Sequence, residues 1–204
     1  MGTCWIIASG KGGVGKSTVT SSLAAALTTL GPTACVVDAD IGLRDQDAIL
    51  GLENRIVYDL IDVCNKDCDL EKALIAHEDF AGLTLLAASQ FASAKDLDPK
   101  AFRRVIQDLK QRFDYVLVDC PAGIERGLQG TLNAQAEETI LICTPDDVCI
   151  RNAEKAASLF EARLLPRPVV IVNRLSAPLI EKGEMYTAQV VADTLDLPLM
   201  GEVP

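Results

Sequence analysis

Eight residues near the N-terminus have the types and spacing of a loop that binds phosphate groups. They are Gly10, Lys11, Gly12, Gly13, Val14, Gly15, Lys16 and Ser17. This octet fits the pattern G-x-x-x-x-G-K-[ST], and it follows a predicted strand and begins a predicted helix, which is the context that the pattern requires. The glycines allow successive backbone amides to point at phosphate oxygens, and the helix N-terminus adds a positive end. The octet therefore predicts a site for the phosphates of ATP with Mg²⁺.

Several side chains in and after this loop are candidates for direct contact with the nucleotide. Lys16 is expected to reach the β- and γ-phosphates, and Ser17 is expected to ligate the magnesium ion. Thr18, the next residue, is a further candidate for nucleotide binding. Lys11 is a second lysine inside the loop, and its side chain either lies along the phosphates or points toward another molecule. A solvent-exposed loop lysine is the alternative, and residue type alone leaves it open.

Acidic residues at the ends of two apolar stretches are candidates for the metal and for the attacking water. One stretch, from Tyr115, ends in Asp119, which a parallel sheet would place beside the phosphates, where Walker-B aspartates hold magnesium through water. The other ends in Asp38 and Asp40. Asp40 is expected to orient the water that attacks the γ-phosphate, and Asp38 to help hold the water shell of the metal. Solvent-exposed acids at a strand end remain the alternative for this pair.

Three further candidates follow predicted strands. Gly123, in the turn after Asp119, is expected to offer its amide to the γ-phosphate. Asn173 and Arg174 follow the apolar stretch from Pro168 to Val172, which places them at the same edge of the sheet. An asparagine amide both donates and accepts hydrogen bonds, so Asn173 is a candidate for contact with the adenine base. A turn residue is the alternative interpretation of Asn173.

Short apolar stretches alternate with stretches of helical periodicity along the chain. The predicted strands are Cys4 to Ala8, Ala34 to Val37, Leu83 to Ala87, Tyr115 to Val118, Thr139 to Cys143 and Pro168 to Val172, with a further strand before Gly201. The predicted helices are Lys16 to Leu30, Pro99 to Arg112, Ile124 to Ala136, Ile150 to Leu164 and Met185 to Leu195. This alternation predicts an α/β fold of the P-loop NTPase type, with a predominantly parallel sheet, helices on both faces and one domain, residues 1–204. The less regular stretch from Ile41 to Asp79 is expected to hold functional loops.

Composition limits the classes of function. The 204 residues are 49% hydrophobic and 24% charged, as in ordinary globular proteins. The formal net charge of −10 opposes nonspecific binding to nucleic acid or to an anionic membrane surface. No stretch approaches the roughly 18 apolar residues of a membrane span, and no secretory leader pattern is present, so a cytoplasmic location is predicted. The seven scattered cysteines indicate reduced thiols that pack in the core.

Four segments of the chain together carry a family pattern. They are Ser9 to Ser17, Asp38 to Arg44, Val57 to Asp59 and Asp119 to Glu125. In these segments the chain resembles the deviant Walker A ATPases, the ParA/MinD family. The sequences Asp-Ile-Gly-Leu-Arg and Pro-Ala-Gly-Ile-Glu are more specific to the MinD branch than to its relatives. The resemblance covers most of the chain and implies a slow, dimer-dependent ATP hydrolase that regulates placement of the bacterial division septum.

The resemblance also implies roles for individual residues. Lys11 is implied to cross to the phosphates bound by a partner copy in an ATP-dependent homodimer, so that Lys11, Lys16 and Asp40 are the catalytic residues. The other implied contacts are Asp38 and Asp40 in a first switch, residues 119–123 in a second, Ser17, Asp38 and Asp119 at the metal, and Asn173 with Arg174 at the adenine.

The family further implies partners. Complete relatives associate peripherally with the inner face of the cell membrane through a terminal amphipathic helix, recruit a MinC-like division inhibitor and are released by a MinE-like activator. No nucleic-acid partner is expected. The sequence ends at Pro204, before the region of that helix, so a chain truncated at its C-terminus is expected. Asp45 stands where relatives often have asparagine.

Other classes of protein share parts of this sequence pattern. A ParA-like DNA-partitioning ATPase or a flagellar-number regulator would share the phosphate loop. An electron-transfer protein or cluster carrier would share it too, with a cysteine pair at a subunit interface. A nucleotide-binding fragment without turnover would keep the loop and lack hydrolysis.

Overall fold

The strands of the computed structural model, which describes residues 1–123, 131 and 134–204, form an eight-stranded sheet. They are β1 (Thr3–Ala8), β2 (Ala34–Asp38), β3 (Leu74–Ala76), β4 (Leu83–Leu86), β5 (Tyr115–Asp119), β6 (Glu138–Cys143), β7 (Val169–Val172) and β8 (Leu199–Glu202). Their order across the sheet is β3-β4-β2-β5-β1-β6-β7-β8. All neighbouring strands run parallel except β3, which pairs antiparallel with β4. The predicted α/β fold with a predominantly parallel sheet is confirmed.

Helices cover both faces of this sheet, as predicted. They are α1 (Lys16–Thr29), α2 (Gln46–Leu50), α3 (Leu60–Asn65), α4 (Leu70–Ala73), α5 (Pro99–Lys110), α6 (Asp147–Ala162), α7 (Ala177–Glu181) and α8 (Ala188–Leu195), with a 3-10 turn at Glu53–Arg55. Within the residues that the structure describes, no helix has the length and apolar character needed to cross a bilayer.

The sheet separates two apolar cores. Successive side chains of a strand point to opposite faces, so Ile6 lies in one core and Ile7 in the other. Phe102 of α5 fills the first core, and Ala24 of α1 packs in the second. Because both faces are covered, the strands are apolar at nearly every position, and all five residues of β2 are buried.

Some boundaries differ from the sequence predictions for local reasons. The helix predicted from Ile150 begins at Asp147, because the Asp146 side chain accepts a hydrogen bond from the Cys149 amide at 2.9 Å and caps the first turn. The helix predicted from Met185 begins at Ala188, with Thr187 as its cap. The short strand β3 was not predicted, since three residues carry little periodicity. The predicted helix from Ile124 to Ala136 falls mostly outside the described residues.

Candidate functional site

The predicted site residues meet at the carboxyl edge of the central strands. In the sheet β5 lies between β2 and β1, and Asp38 at the end of β2 pairs in register with Asp119 at the end of β5. The loop that follows β1 leads directly into α1. Because the carboxyl ends of parallel strands share one edge of a sheet, the topology brings this loop, which we call the phosphate loop (residues 10–17), beside both carboxylates.

Two glycines let the phosphate loop pack against its surroundings. A Cβ at Gly10 would lie 2.3 Å from the backbone carbonyl atoms of Asn152 in α6. Gly15 has a φ of 91°, in the left-handed region, and a Cβ there would lie 2.3 Å from the side-chain nitrogen of Asn173. Any larger residue at either position would force the loop away from α6 or from the end of β7.

The loop and the residue before it, Ser9, are also held by hydrogen bonds from two of the predicted site residues. The Nδ2 of Asn173, which is buried, donates to the carbonyl of Val14 at 2.8 Å. The amide of Gly123 donates to the carbonyl of Ser9 at 3.0 Å. In this structure both groups therefore support the loop backbone. The contact of Asn173 with adenine and that of Gly123 with the γ-phosphate stay predictions. For Gly123 to donate its amide to the phosphate, its hydrogen bond to Ser9 would have to break.

Lys16 forms a buried ion pair with Asp119. Its Nζ lies 2.6 Å from Oδ1 of Asp119, and the two side chains are 5% and 1% exposed. The same Nζ donates to Oγ of Ser17 at 3.2 Å, and the Thr20 hydroxyl donates to Asp119 Oδ1 at 3.1 Å. Three residues predicted from sequence, at 16, 17 and 119, thus share one hydrogen-bonded network.

Asp38 is the second buried carboxylate of this edge. It accepts hydrogen bonds from the amides of Asp40, at 3.0 Å, and of Gln46, at 3.2 Å. Burial, together with the negative charge of Asp119, raises the pKa of Asp38 to about 7. Asp40 is only partly buried, and burial raises the pKa of its carboxyl above the usual range while Lys16 opposes that shift. The two acids predicted from the end of β2 therefore face the same site.

One central residue was missed by the sequence analysis. Gln46 is fully buried, and its Nε2 donates to Asp119 Oδ2 at 2.7 Å and to the carbonyl of Ser17 at 3.1 Å. Its Oε1 accepts a hydrogen bond from the hydroxyl of Ser21. A polar residue in a stretch without regular periodicity is normally interpreted as a solvent-exposed loop position. The proximity of Gln46 to Asp38 along the chain was the one available signal.

Lys11 lies on the opposite side of the phosphate loop from this network. Its Nζ is 3.7 Å from Oδ1 of Asp146, and both side chains are 44% exposed. Together with Thr144 and Arg174 they line a cleft of about 240 Å³ beside the loop. The structure thus separates the site residues into a buried network and an open cleft. Thr18 is exposed on the first turn of α1.

Comparison with known proteins agrees with this architecture. A family model of ParA proteins, described as NUBPL iron-transfer P-loop NTPase, matches residues 2–204. A septum site-determining protein MinD from Synechocystis is 40% identical over 98% of this chain and 74% of its own length. The chain belongs to the ParA/MinD family of P-loop ATPases.

Solved structures of ParA/MinD family members share the fold. The MinC:MinD cell division protein complex of Aquifex aeolicus superposes with a TM-score of 0.91 at 37% identity, covering 99% of this chain and 81% of that one. The septum site-determining protein MinD of Pyrococcus horikoshii, complexed with Mg-ADP, superposes with a TM-score of 0.87 at 30% identity, covering 100% and 82%. These matches confirm the P-loop NTPase fold predicted from the sequence.

Proposed function

We propose that this chain is an ATP hydrolase that acts as a dimerising switch in placement of the bacterial division septum. The observation that carries the proposal is the geometry of the phosphate loop. One lysine of the loop, Lys16, is buried against Asp119, and a second, Lys11, is exposed beside an open cleft. The 40% identity to a septum site-determining protein supports the biological process. We also propose that residues 1–204 form a single nucleotide-binding domain.

The donor atoms at the site fit a magnesium ion. Ser17, Asp38 and Asp119 supply hydroxyl and carboxylate oxygens, and Mg²⁺ takes oxygen ligands, using one or two carboxylates besides phosphates and waters. Burial and the negative charge of Asp119 raise the pKa of Asp38, and a divalent cation between the two carboxylates would oppose that shift. We propose that these three residues would hold Mg²⁺, which would supply positive charge against the negative charge that develops in the transition state.

Lys16 is placed to change partners when ATP binds. In the structure its ammonium group is bound to Asp119 and to Ser17. A triphosphate in the loop would draw the ammonium group to the β- and γ-phosphate oxygens, because those oxygens carry more negative charge than one carboxylate. Asp119 and Ser17 would then be available to the metal and its waters.

Hydrolysis would use the partly buried Asp40 and the exposed Lys11. Asp40 orients a water molecule whose oxygen forms a bond to the γ-phosphorus while the bond to the β–γ bridging oxygen breaks, which releases ADP and phosphate. Lys11 of a second copy stabilises the negative charge on the transferring group, as a positive side chain supplied in trans does in other nucleotide hydrolases. This step makes turnover depend on the dimer.

The surroundings of Lys11 support its action in trans. An ion pair between two side chains that are each 44% exposed contributes about 0–1 kcal/mol, because water screens it. Turning Lys11 away from Asp146 toward another copy therefore costs little. Turning Lys16 away from Asp119 is more costly, because both groups are buried and each would need another charge of opposite sign.

The relatives support proposals for the partner proteins and the location. The structure of the Aquifex relative is a complex of MinC with MinD, so we propose a MinC-like inhibitor as a partner. We also propose a MinE-like activator, a cytoplasmic location and peripheral association with the inner face of the cell membrane, as expected for the MinD branch. The net charge of −10 disfavours a nucleic-acid partner.

Iron transfer, named in the description of the family model, is a second candidate. The seven cysteines are free thiols and six of them are buried, which supports the prediction of packing residues. Over residues 1–123, 131 and 134–204, no group of three or more Cys, His, Asp or Glu side chains is arranged to hold a metal. Iron-dependent visible absorbance of the purified protein would favour this candidate over the division ATPase.

The rate of ATP hydrolysis per molecule tests the proposal. It is expected to rise with protein concentration in the presence of Mg²⁺, because each site needs the Lys11 of another copy. Lys11→Ala is expected to lower the rate at least about tenfold, since a charge supplied to the transferring phosphate contributes several kcal/mol. Lys100→Ala, a change of an exposed lysine on α5, is the matched control. A rate in Lys11→Ala equal to that of the parent would contradict the proposal.

A further inference from the structure

Gln46, the first residue of α2, has its whole side chain buried between the phosphate-loop helix and the ends of β2 and β5. Its Nε2 donates to Asp119 Oδ2 at 2.7 Å and to the carbonyl of Ser17 at 3.1 Å. Its Oε1 accepts from the hydroxyl of Ser21, and its backbone amide donates to Asp38 Oδ2 at 3.2 Å. One residue thus contacts all three residues that we assign to magnesium.

The amide is the side chain that these partners require. The Asp119 carboxylate and the carbonyl of Ser17 can only accept, so the buried group must donate to both. The oxygen of the same amide accepts from the hydroxyl of Ser21. A carboxylate at position 46 would place a like charge against Asp119. An apolar side chain of the same size would leave buried polar atoms without this partner, at a cost in free energy.

The two oxygens of Asp119 have separate partners. Oδ1 accepts from Lys16 at 2.6 Å and from Thr20 at 3.1 Å, whereas Oδ2 accepts from Gln46. If phosphates drew Lys16 away, the bonds to Thr20 and Gln46 would remain to hold the carboxylate in its orientation. The following residue in α2 is fixed as well, because Asp47 pairs with Arg44 at 2.7 Å and both side chains are largely buried.

We propose that Gln46 is a positioning residue that fixes the Asp119 carboxylate and ties it to the segment carrying Asp38 and Asp40. The inference rests on the proposed function, since it assigns Gln46 to the magnesium side of that site. It predicts that Gln46 sets how much Mg²⁺ strengthens nucleotide binding, with a smaller effect on nucleotide binding without metal.

Calorimetry with ADP tests the proposal. The dissociation constant is measured with Mg²⁺ and with a chelator, and the ratio of the two is the magnesium gain. Gln46→Met keeps the approximate volume and removes the amide, and it is expected to lower the gain about tenfold or more, the range for a lost hydrogen bond to a charged group. The dissociation constant in chelator is expected to change much less. A purely structural role would weaken both constants alike.

Ile106→Val, in the core on the other side of the sheet, is the stability control and is expected to keep the full gain. If Gln46→Met does not fold, Ser21→Ala is measured in its place, because it removes the hydroxyl that donates to the Gln46 amide oxygen. A partial loss of the magnesium gain in Ser21→Ala then supports the proposal, and an unchanged gain overturns it. A full gain in folded Gln46→Met overturns the proposal directly. If the parent itself shows no magnesium gain, the proposed function fails at this site, which is a different result.

Discussion

Lys16 has two roles that exclude each other. In the structure its ammonium group neutralises Asp119, a carboxylate that is 1% exposed. In the proposed function the same group binds the phosphates of ATP. Breaking a buried pair without a replacement charge is costly, so the affinity for nucleotide and the affinity for metal are linked through this one side chain.

Lys16→Met is expected to lower the free energy of unfolding by about 3–5 kcal/mol, because it leaves the Asp119 carboxylate buried without its cation. The double variant Lys16→Met/Asp119→Asn removes both charges and is expected to recover most of that loss. Urea denaturation without nucleotide measures both. A single variant as stable as the parent would show that the pair does not contribute to stability.

Asp38 makes stability depend on pH. Burial and the charge of Asp119 raise the pKa of its carboxyl to about 7 in the folded chain, above the usual pKa of an aspartate. A raised pKa means that the folded chain binds the proton more tightly, so the contribution to stability is complete below about pH 4 and is lost as the pH rises through 7. Asp38→Asn is expected to reduce the change in the free energy of unfolding between pH 4 and 8, measured by denaturation in metal-free buffer. The same dependence on pH in the parent and in Asp38→Asn would contradict the raised pKa of Asp38.

At the scale of elements, the phosphate loop is shaped by contacts with α6 and with the end of β7. The motif itself and the strand-end aspartates are visible in the sequence, because glycine, lysine and acid positions follow apolar stretches directly. The close contact between Gly10 and the backbone of Asn152 cannot be predicted from the sequence, because it joins two elements that are far apart in the chain. Gln46 was missed for the same reason, because burial of a polar residue depends on what packs around it.

Gly10→Ala tests the contact between the loop and α6. The added Cβ would lie 2.3 Å from backbone atoms of Asn152, so the loop or the helix must shift, and we expect a loss of about 1–3 kcal/mol in the free energy of unfolding. Gly12→Ala is the matched control, because among the described residues its Cβ would meet only the Cβ of Ala122, at 3.8 Å. Thermal or urea denaturation without nucleotide measures both. Equal stability of the two variants would refute the close contact.

At the scale of the whole molecule, the strand order places all the chemistry along one edge of the sheet. The alternation of apolar and helical stretches predicted this parallel arrangement, and family resemblance placed the chain in the same fold as its relatives. Sequence periodicity could not predict β3, because only three of its residues pair with β4 and so short a strand shows no clear alternation. The same edge carries Lys11 at an exposed position, so a second copy can approach the site from outside.

The most direct test of the dimerising switch is a mixture of two variants. Lys11→Ala and Asp40→Ala are each expected to hydrolyse ATP poorly alone. In a mixed dimer, the site of the Lys11→Ala copy keeps its own Asp40 and receives Lys11 from the other copy. We therefore expect the mixture to hydrolyse ATP well above the sum of the separate variants. A mixture no faster than that sum, with both variants binding ATP, would contradict action of Lys11 in trans, and a fully active Asp40→Ala would refute the role of Asp40.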